Sequence, residues 1–467
     1  MRAFVWALLG LSGPAAAQWV AADAVDFTGD PGWWEEPIEA AACGAGWAAV
    51  WDVYDSAGVR RAWVWEVTEG VNAWAPLLEG GPGAAAGIDA WGDGAVIATT
   101  RYAVSDSTGA TAIGQVQGWG GCALPEQELG FLSTYNVLHG VRASGNQVAV
   151  VGMSFDPCCV HRELPVLAVL DAEGAVVRKV AVDVAGPALV DTLTASGPLP
   201  QQARPFGGDR HDDGGVFYVV DWDGEAVVAA GAYANALHYE VMVVRFTAEG
   251  ALDAAFGEGG MVRLDVDPGN NTWVESVAVG ADGRVQCLVR AHDAGDLEAA
   301  FHVLTLDAAG AVVGWASSSG AEGLEAKGMA WGAGAWTAWG ADAEGALVGR
   351  WEEGGEVVGQ TLPEAASWQA ARGAWNGEAM AVFGRVEGPV ARVRIWHADP
   401  TVAVDRPTAR SQCGGIHPQP CPTGTLPALP FPASTWYDLS GRPTAPTAPG
   451  WYVVRSNNGT TCPVIFQ

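Results

Sequence analysis

One pattern recurs through most of this chain and limits what it can become: an apolar run, a glycine-containing turn, a second apolar run, then a further hairpin. The turn-and-strand half reads GWAAVWDVY from Gly46, GDGAVIATTRY from Gly92, GNQVAVVGM from Gly145, WDGEAVVAAG from Trp222, ADGRVQCLVRA from Ala281, GAGAWTAWG from Gly332 and NGEAMAVFG from Asn376. Asp-Gly and Asn-Gly supply the positive φ angles of a tight hairpin turn. Asp93-Gly94, Asp223-Gly224, Asp282-Gly283 and Asn376-Gly377 therefore read as hairpin tips. Second hairpins begin at Ala62, Val166, Met242, Phe301 and Ala346. Two hairpins make a four-stranded antiparallel sheet, and such a sheet recurring about every 40 to 60 residues is the signature of a β-propeller blade. The units predict an all-β propeller of about seven four-stranded blades over residues 18–405.

Composition agrees. The 63 Gly and 27 Pro weaken long helices, while 49% hydrophobic against 16% charged residues excludes an acidic disordered chain. A net charge of −29 excludes electrostatic attraction to nucleic acid or anionic lipid as the main activity.

Two irregularities break the period. The long step from Gly145 to Gly224 marks an insertion at about 155–215 in the third unit, carrying Cys158, Cys159 and GGDRHDDGG. The seventh unit runs out early, short of a strand. Two readings stand for WVAADAVDF, Trp19 to Phe27: it closes the ring by pairing with the last blade, or it is an irregular lead-in.

Residues 1–17, with Arg2, an apolar run from Ala3 to Leu11 and Ala15-Ala16-Ala17, read as a secretory signal peptide. No segment is long and apolar enough for a membrane helix. The expected location is extracellular or the outer cell surface, or the periplasm if the C-terminal tail is not a sorting signal. In that compartment eight cysteines favour disulfides, and the absence of C-x-x-C argues against structural zinc. Residues 406–434 form a Pro/Gly-rich linker and 435–467 a small β tail; Cys413, Cys421 and Cys462 are the disulfide candidates there.

The stretch from Tyr218 to Arg290 resembles the delta-60 repeat of bacterial extracellular proteins. The matching residues are Asp223-Gly224, Val244-Arg245, Glu249-Gly250, Leu252-Asp253, Phe256-Gly257 and Gly259-Gly260. The resemblance implies a propeller-like surface protein with no defined reaction. The tail is similar to the C-terminal sorting domain of type IX secretion substrates, through Asp438, Gly441 and Arg442 and through Gly450 and Tyr452. That likeness implies a secretion machinery as partner, although the tail is shorter than a whole sorting domain and ends in TTCPVIFQ.

Chemistry-bearing motifs are sparse. HExxH, G-x-S-x-G, the phosphate loop and EF-hand spacing are all missing from the sequence. Asp265, Asp267, Asn270 and Asn271 in LDVDPGNN offer oxygen ligands to calcium, or form an Asx-rich turn between blades. His161 with Glu163, and His211 beside Asp209, Asp212 and Asp213, are polar clusters of the insertion, read as solvated loop before metal or catalytic site. Adjacent Cys158 and Cys159 resemble the vicinal disulfide of quinoprotein alcohol dehydrogenases, without their recurrent Trp motif. Of the 23 Trp, those at Trp47, Trp51, Trp63, Trp65, Trp336 and Trp339 alternate as core residues do, whereas Trp33 and Trp34 in GDPGWWEEP are candidates for stacking on sugars. The expectation is a non-enzymatic scaffold binding an extracellular glycan or protein. The competing classes are a secreted hydrolase or quinoprotein-like enzyme and a carbohydrate-binding surface protein.

Overall fold

The computed structural model describes the backbone from Gln18 to Asp399 apart from short loop segments and 199–213, together with three strands beyond residue 434. Side chains are described mainly between 37 and 317 and more sparsely from 328 to 393. The chain divides into two compact units: one spans Trp19–Ala398, and the other holds the residues from Asp399 onward.

The larger unit is a seven-bladed β-propeller. Its innermost strands are Trp34–Cys43, Gly83–Trp91, Asn136–Ser144, Gly214–Asp223, Asn271–Val279, Glu325–Gly332 and Trp368–Trp375, in blades 1 to 7. Each packs beside the next, and the seventh packs beside the first. Blades 1, 2, 4, 5 and 6 are four-stranded antiparallel sheets in sequence order. Blade 3 extends to six strands by adding Ala188–Thr194 and Gly197–Pro198. In blade 7, the strand Gln18–Thr28 pairs beside Val390–Asp399 and supplies the fourth strand. Of the two readings of the N-terminal stretch, ring closure is therefore the one the structure adopts. A sheet array closed this way loses its two open ends.

The hairpin tips sit one residue from where the Asp-Gly dipeptides place them in blade 2. Trp91 pairs with Gly94, so the turn is Gly92-Asp93, with Gly92 at φ 61°. In blade 4 Asp223 pairs with Ala226, and the turn is Gly224-Glu225 with Gly224 at φ 62°. The left-handed conformation falls on the first turn residue in both, which glycine adopts without steric cost.

The core lies in the seams between blades. Val96, Ala98, Val148 and Val150 fill the seam between blades 2 and 3; Val182, Phe217, Val244 and Phe246 that between 3 and 4; and Val243, Phe256, Val274 and Leu304 that between 4 and 5. The seam that closes the ring, between blades 1 and 7, is built from tryptophan instead. Trp51 and Trp65 are fully buried with Phe383, and Trp65 meets Phe383 edge-on at 5.6 Å. Trp74 lies 5.7 Å from both Trp51 and Trp65. Trp47 and Trp339 are also buried, while the side chain of Trp336 lies outside the described residues.

The delta-60-like residues of blade 4 form a clasp onto blade 5. Arg245 pairs with Asp223 at 2.9 Å and Asp253 at 3.2 Å, and donates to the Ala308 carbonyl at 3.0 Å. Phe256 is fully buried in the seam, and Gly257 N–H donates to the Ala309 carbonyl at 2.8 Å. These residue types serve blade-to-blade adhesion.

Cys43, Cys122 and Cys287 carry free thiols, which departs from the expectation of general disulfide bonding. Cys287 is buried within an apolar seam, where a thiol packs as a small hydrophobe. Burial pushes both Cys43 and Cys287 up to about 12, so neither is a nucleophile at neutral pH. Beyond the propeller, Thr435–Tyr437, Gly450–Arg455 and Thr461–Phe466 form a three-stranded antiparallel sheet. Among the described residues no helix is long and apolar enough to cross a membrane.

Candidate functional site

The same backbone device recurs in every blade. Each innermost strand carries a register shift against its neighbour at an equivalent point, and the extra residues are Ile38, Ala86, His139, Tyr218, Glu275, Lys327 and Gln369. A bulge of this kind inserts one residue and re-aims its side chain. Ile38, Ala86, His139, Tyr218 and Glu275 line a cavity of about 630 Å³ bounded by the innermost strands of all seven blades. The side chains of Lys327 and Gln369 lie outside the described residues.

The ring is uneven. Blades 1 and 2 contribute aliphatic Ile38 and Ala86; blades 3, 4 and 5 contribute His139, Tyr218 and Glu275. His139 and Tyr218 meet edge-to-face with centroids 5.2 Å apart. Burial, reinforced by the charge of Arg60, pulls His139 down to about 4, so the imidazole is neutral at pH 7. Burial raises Tyr218 above the ordinary phenol range, so its proton stays on. Glu275 Oε1 accepts from Trp273 Nε1 at 2.9 Å and lies 3.6 Å from Arg290, whose guanidinium sits 5.4 Å from the Trp273 ring centre.

Three residues further along the innermost strands, a second layer brings Asp89, Arg142, Asp221 and Arg372 to equivalent positions. Arg142 lies 3.3 Å from Asp89 and 3.6 Å from Glu39. Burial opposes its charge, but Asp89, Glu39 and Asp221 more than offset that and hold its pKa above the ordinary value. Burial in turn pushes Glu39 up to about 7, against the pull of Arg142.

The carboxylates here are also fasteners. Glu39 Oε2 accepts from Ile88 N–H of the next blade at 3.1 Å, Asp89 Oδ2 from Ala143 N–H at 2.8 Å, and Asp221 Oδ2 from Val279 N–H at 2.8 Å. Ser276 Oγ accepts from Met329 N–H at 3.2 Å, and Arg372 Nε donates to the Ile38 carbonyl at 2.5 Å, joining blade 7 to blade 1. The layer thus couples consecutive blades through side chain to backbone bonds. Gly87 leaves the space this needs, since a Cβ there would meet Glu39 Oε2 at 2.6 Å.

The residues singled out from sequence fall elsewhere. Asp265 lies at the end of blade 4, with its Oδ2 3.4 Å from His238 Nε2. Asn271 Oδ1 accepts from Tyr239 N–H at 3.0 Å, the structural role of an Asx residue, and Asn270 precedes it at the start of blade 5. Asp267, Trp33, Cys158, Cys413, Cys421, Asp438, Gly441, Arg442, His211 and residues 1–17 lie outside the described residues. Trp34 opens the innermost strand of blade 1, opposite Tyr54, rather than lying in a loop. Gly450 and Tyr452 belong to the middle strand of the tail sheet and Cys462 to its last, their side chains outside the described residues.

Sequence reasoning missed His139, Tyr218 and Glu275. A signal existed: Ala86, His139 and Tyr218 each precede their turn glycine, Gly92, Gly145 and Gly224, by the same number of residues. Aligning the units on those glycines stacks them at one position.

No protein-family model and no curated protein matches the chain. Among solved structures, the chain is similar to polysaccharide lyase Uly1, with TM-score 0.52 and 8% identity over 78% of this chain and 90% of that one. It is also similar to the β-propeller domain of the Trilobed protease from Pyrococcus furiosus, with TM-score 0.42 and 9% identity over 78% and 94%. At such identities the likeness to the lyase concerns the fold, and the seven blade sheets make that fold a β-propeller.

Proposed function

We propose that the protein is an exported, non-enzymatic binding propeller of the delta-60 repeat type, whose central channel holds a neutral carbohydrate. The observation that carries this reading is the division of labour along the channel wall. Arg142 and Arg372 are committed to Glu39, Asp89 and the Ile38 carbonyl, so among the described side chains an anionic ligand meets carboxylates and engaged cations. The ring above combines the aromatic faces of Tyr218 and Trp273 with His139 and Glu275, the mix of stacking surface and hydrogen-bonding groups that a sugar ring uses. The signal-peptide-like start and sorting-like tail support export, with a secretion machinery as the tail's partner. Screening the full chain on a glycan array tests the reading. Retention of neutral oligosaccharides that is lost in Tyr218→Ala supports it; no retention above background overturns it.

A second reading, an enzyme, is favoured by one pair: His139 and Tyr218 bring an imidazole and a phenol, side chains that can exchange protons with a substrate, to adjacent places on the channel wall. Cleavage of a retained oligosaccharide, abolished in His139→Gln, would replace the binding reading with this one.

A further inference from the structure

Away from the channel, the end of blade 4 brings an imidazole and two carboxylates to one face of a sheet edge. The third strand, Tyr239–Phe246, pairs with the fourth, Met261–Leu264, through Val241 opposite Leu264. Continuing that register by one residue sets Glu240 opposite Asp265. His238 immediately precedes the third strand, and its imidazole lies beside the Glu240 carboxylate. Carboxylates brought this close repel each other, and a cation between them relieves that repulsion.

His238 Nε2 lies 3.4 Å from Asp265 Oδ2 and 3.8 Å from Glu240 Oε1. The ligand atoms of the three residues all fall within 4.8 Å of one another. Both His238 separations exceed the ~2.7–3.2 Å of an N–H···O hydrogen bond. The shorter one matches the edge, about 3.3–3.4 Å, of a tetrahedron drawn with ~2.0–2.1 Å metal–ligand bonds. The backbone between the two neighbouring donors is fixed from blade 5: Asn271 Oδ1 accepts from Tyr239 N–H at 3.0 Å, and Thr272 Oγ1 donates to the Tyr239 carbonyl at 3.2 Å. Such outer contacts orient ligand side chains before an ion arrives.

The geometry points to a site for one divalent cation of the zinc class, held by His238, Glu240 and Asp265, with solvent completing the shell. His238 and Glu240 are largely buried, and the more open Asp265 gives the ion its way in. An imidazole donor suits zinc and its neighbours, whereas calcium takes oxygen ligands. Asp265 thus belongs to a different cation, and a different ligand set, from the calcium loop its sequence neighbours suggest. Bound there, the ion ties the chain leaving blade 4 to that blade's third strand.

The test is calorimetric titration of the full chain, stripped with EDTA, with zinc chloride, beside His238→Ala and Asp265→Asn. Expected are one zinc per chain, binding weakened about 10-fold or more in each variant, no displacement by millimolar calcium, and a zinc-dependent rise in Tm that His238→Ala lacks. Cobalt in place of zinc should show ligand-field absorption that His238→Ala loses. Circular dichroism confirms that the variants keep their strand signal, and His238→Gln replaces any variant that does not. No zinc uptake by the wild type, or equal uptake by wild type and variants, overturns the site.

Discussion

Blades 1 and 2 and blades 3 to 5 build the same bulge on the same strand and place opposite chemistry on it. Ile38 and Ala86 make one side of the channel aliphatic; His139, Tyr218 and Glu275 make the other side polar and aromatic. Because the backbone is shared, the difference lies in the side chains alone. The repeat therefore accounts for the ring, and the departures from it account for the site. One layer further along, Arg142 and its carboxylates serve the ring's construction.

The first way to break the comparison is to disturb the frame that both sides share. Arg142→Met leaves Glu39, Asp89 and Asp221 without their common counter-charge, and should destabilise the protein by about 2–4 kcal/mol in urea unfolding; the 27% exposure of the guanidinium keeps the cost below that of a fully buried pair. An unchanged unfolding midpoint would show that the layer is not architectural.

Acid titration separates the two sides next. The folded pKa of His139, about 4, lies below its ordinary 6.5, so the stability that its neutral form contributes is complete above pH 6.5 and lost as pH falls toward 4. His139→Gln should remove a loss of about 2–3 kcal/mol across that window. Glu39 has the opposite sign. Its folded value of about 7 lies above 4.5, so its stabilisation is present below pH 4.5 and lost as pH rises through 7. Glu39→Gln should flatten that slope. Parallel pH profiles for wild type and both variants would contradict these assignments.

The smallest effect belongs to the aliphatic side. Ile38→Val, at a half-buried position on the channel wall, should cost about 0.5 kcal/mol or less and leave ligand retention unchanged. Weaker retention would place the ligand on the aliphatic side.

The architecture was legible in the sequence because hairpins write themselves locally. Glycine turns between apolar runs marked the blades, and the missing strand of blade 7 pointed to the N-terminal stretch as one of two solutions. Turn register was less legible: Gly92-Asp93-Gly94 offers two glycines, and strand pairing places the turn on the first. The channel was legible only by aligning the units on their turn glycines, which stacks Ala86, His139 and Tyr218 but not Glu275. His139, Tyr218 and Glu275 sit in separate blades, each within an apolar strand, and a bulge is a backbone event with no composition of its own. Polar clusters in loops drew attention instead. Among the described residues, Asp265 is the one of these that joins a defined cluster, through His238 and Glu240, which the sequence gives no reason to pair with it.

The central claim is that ligand binding belongs to the polar side of the ring. Its most direct test is the dissociation constant of one array-identified neutral oligosaccharide, measured by calorimetry on the wild type, Tyr218→Ala and Ile38→Ala. The account predicts a loss of about 10-fold or more for Tyr218→Ala, the scale of one lost stacking contact, and a change of under about 2-fold for Ile38→Ala. Equal losses in the two variants, or none in Tyr218→Ala, would contradict it.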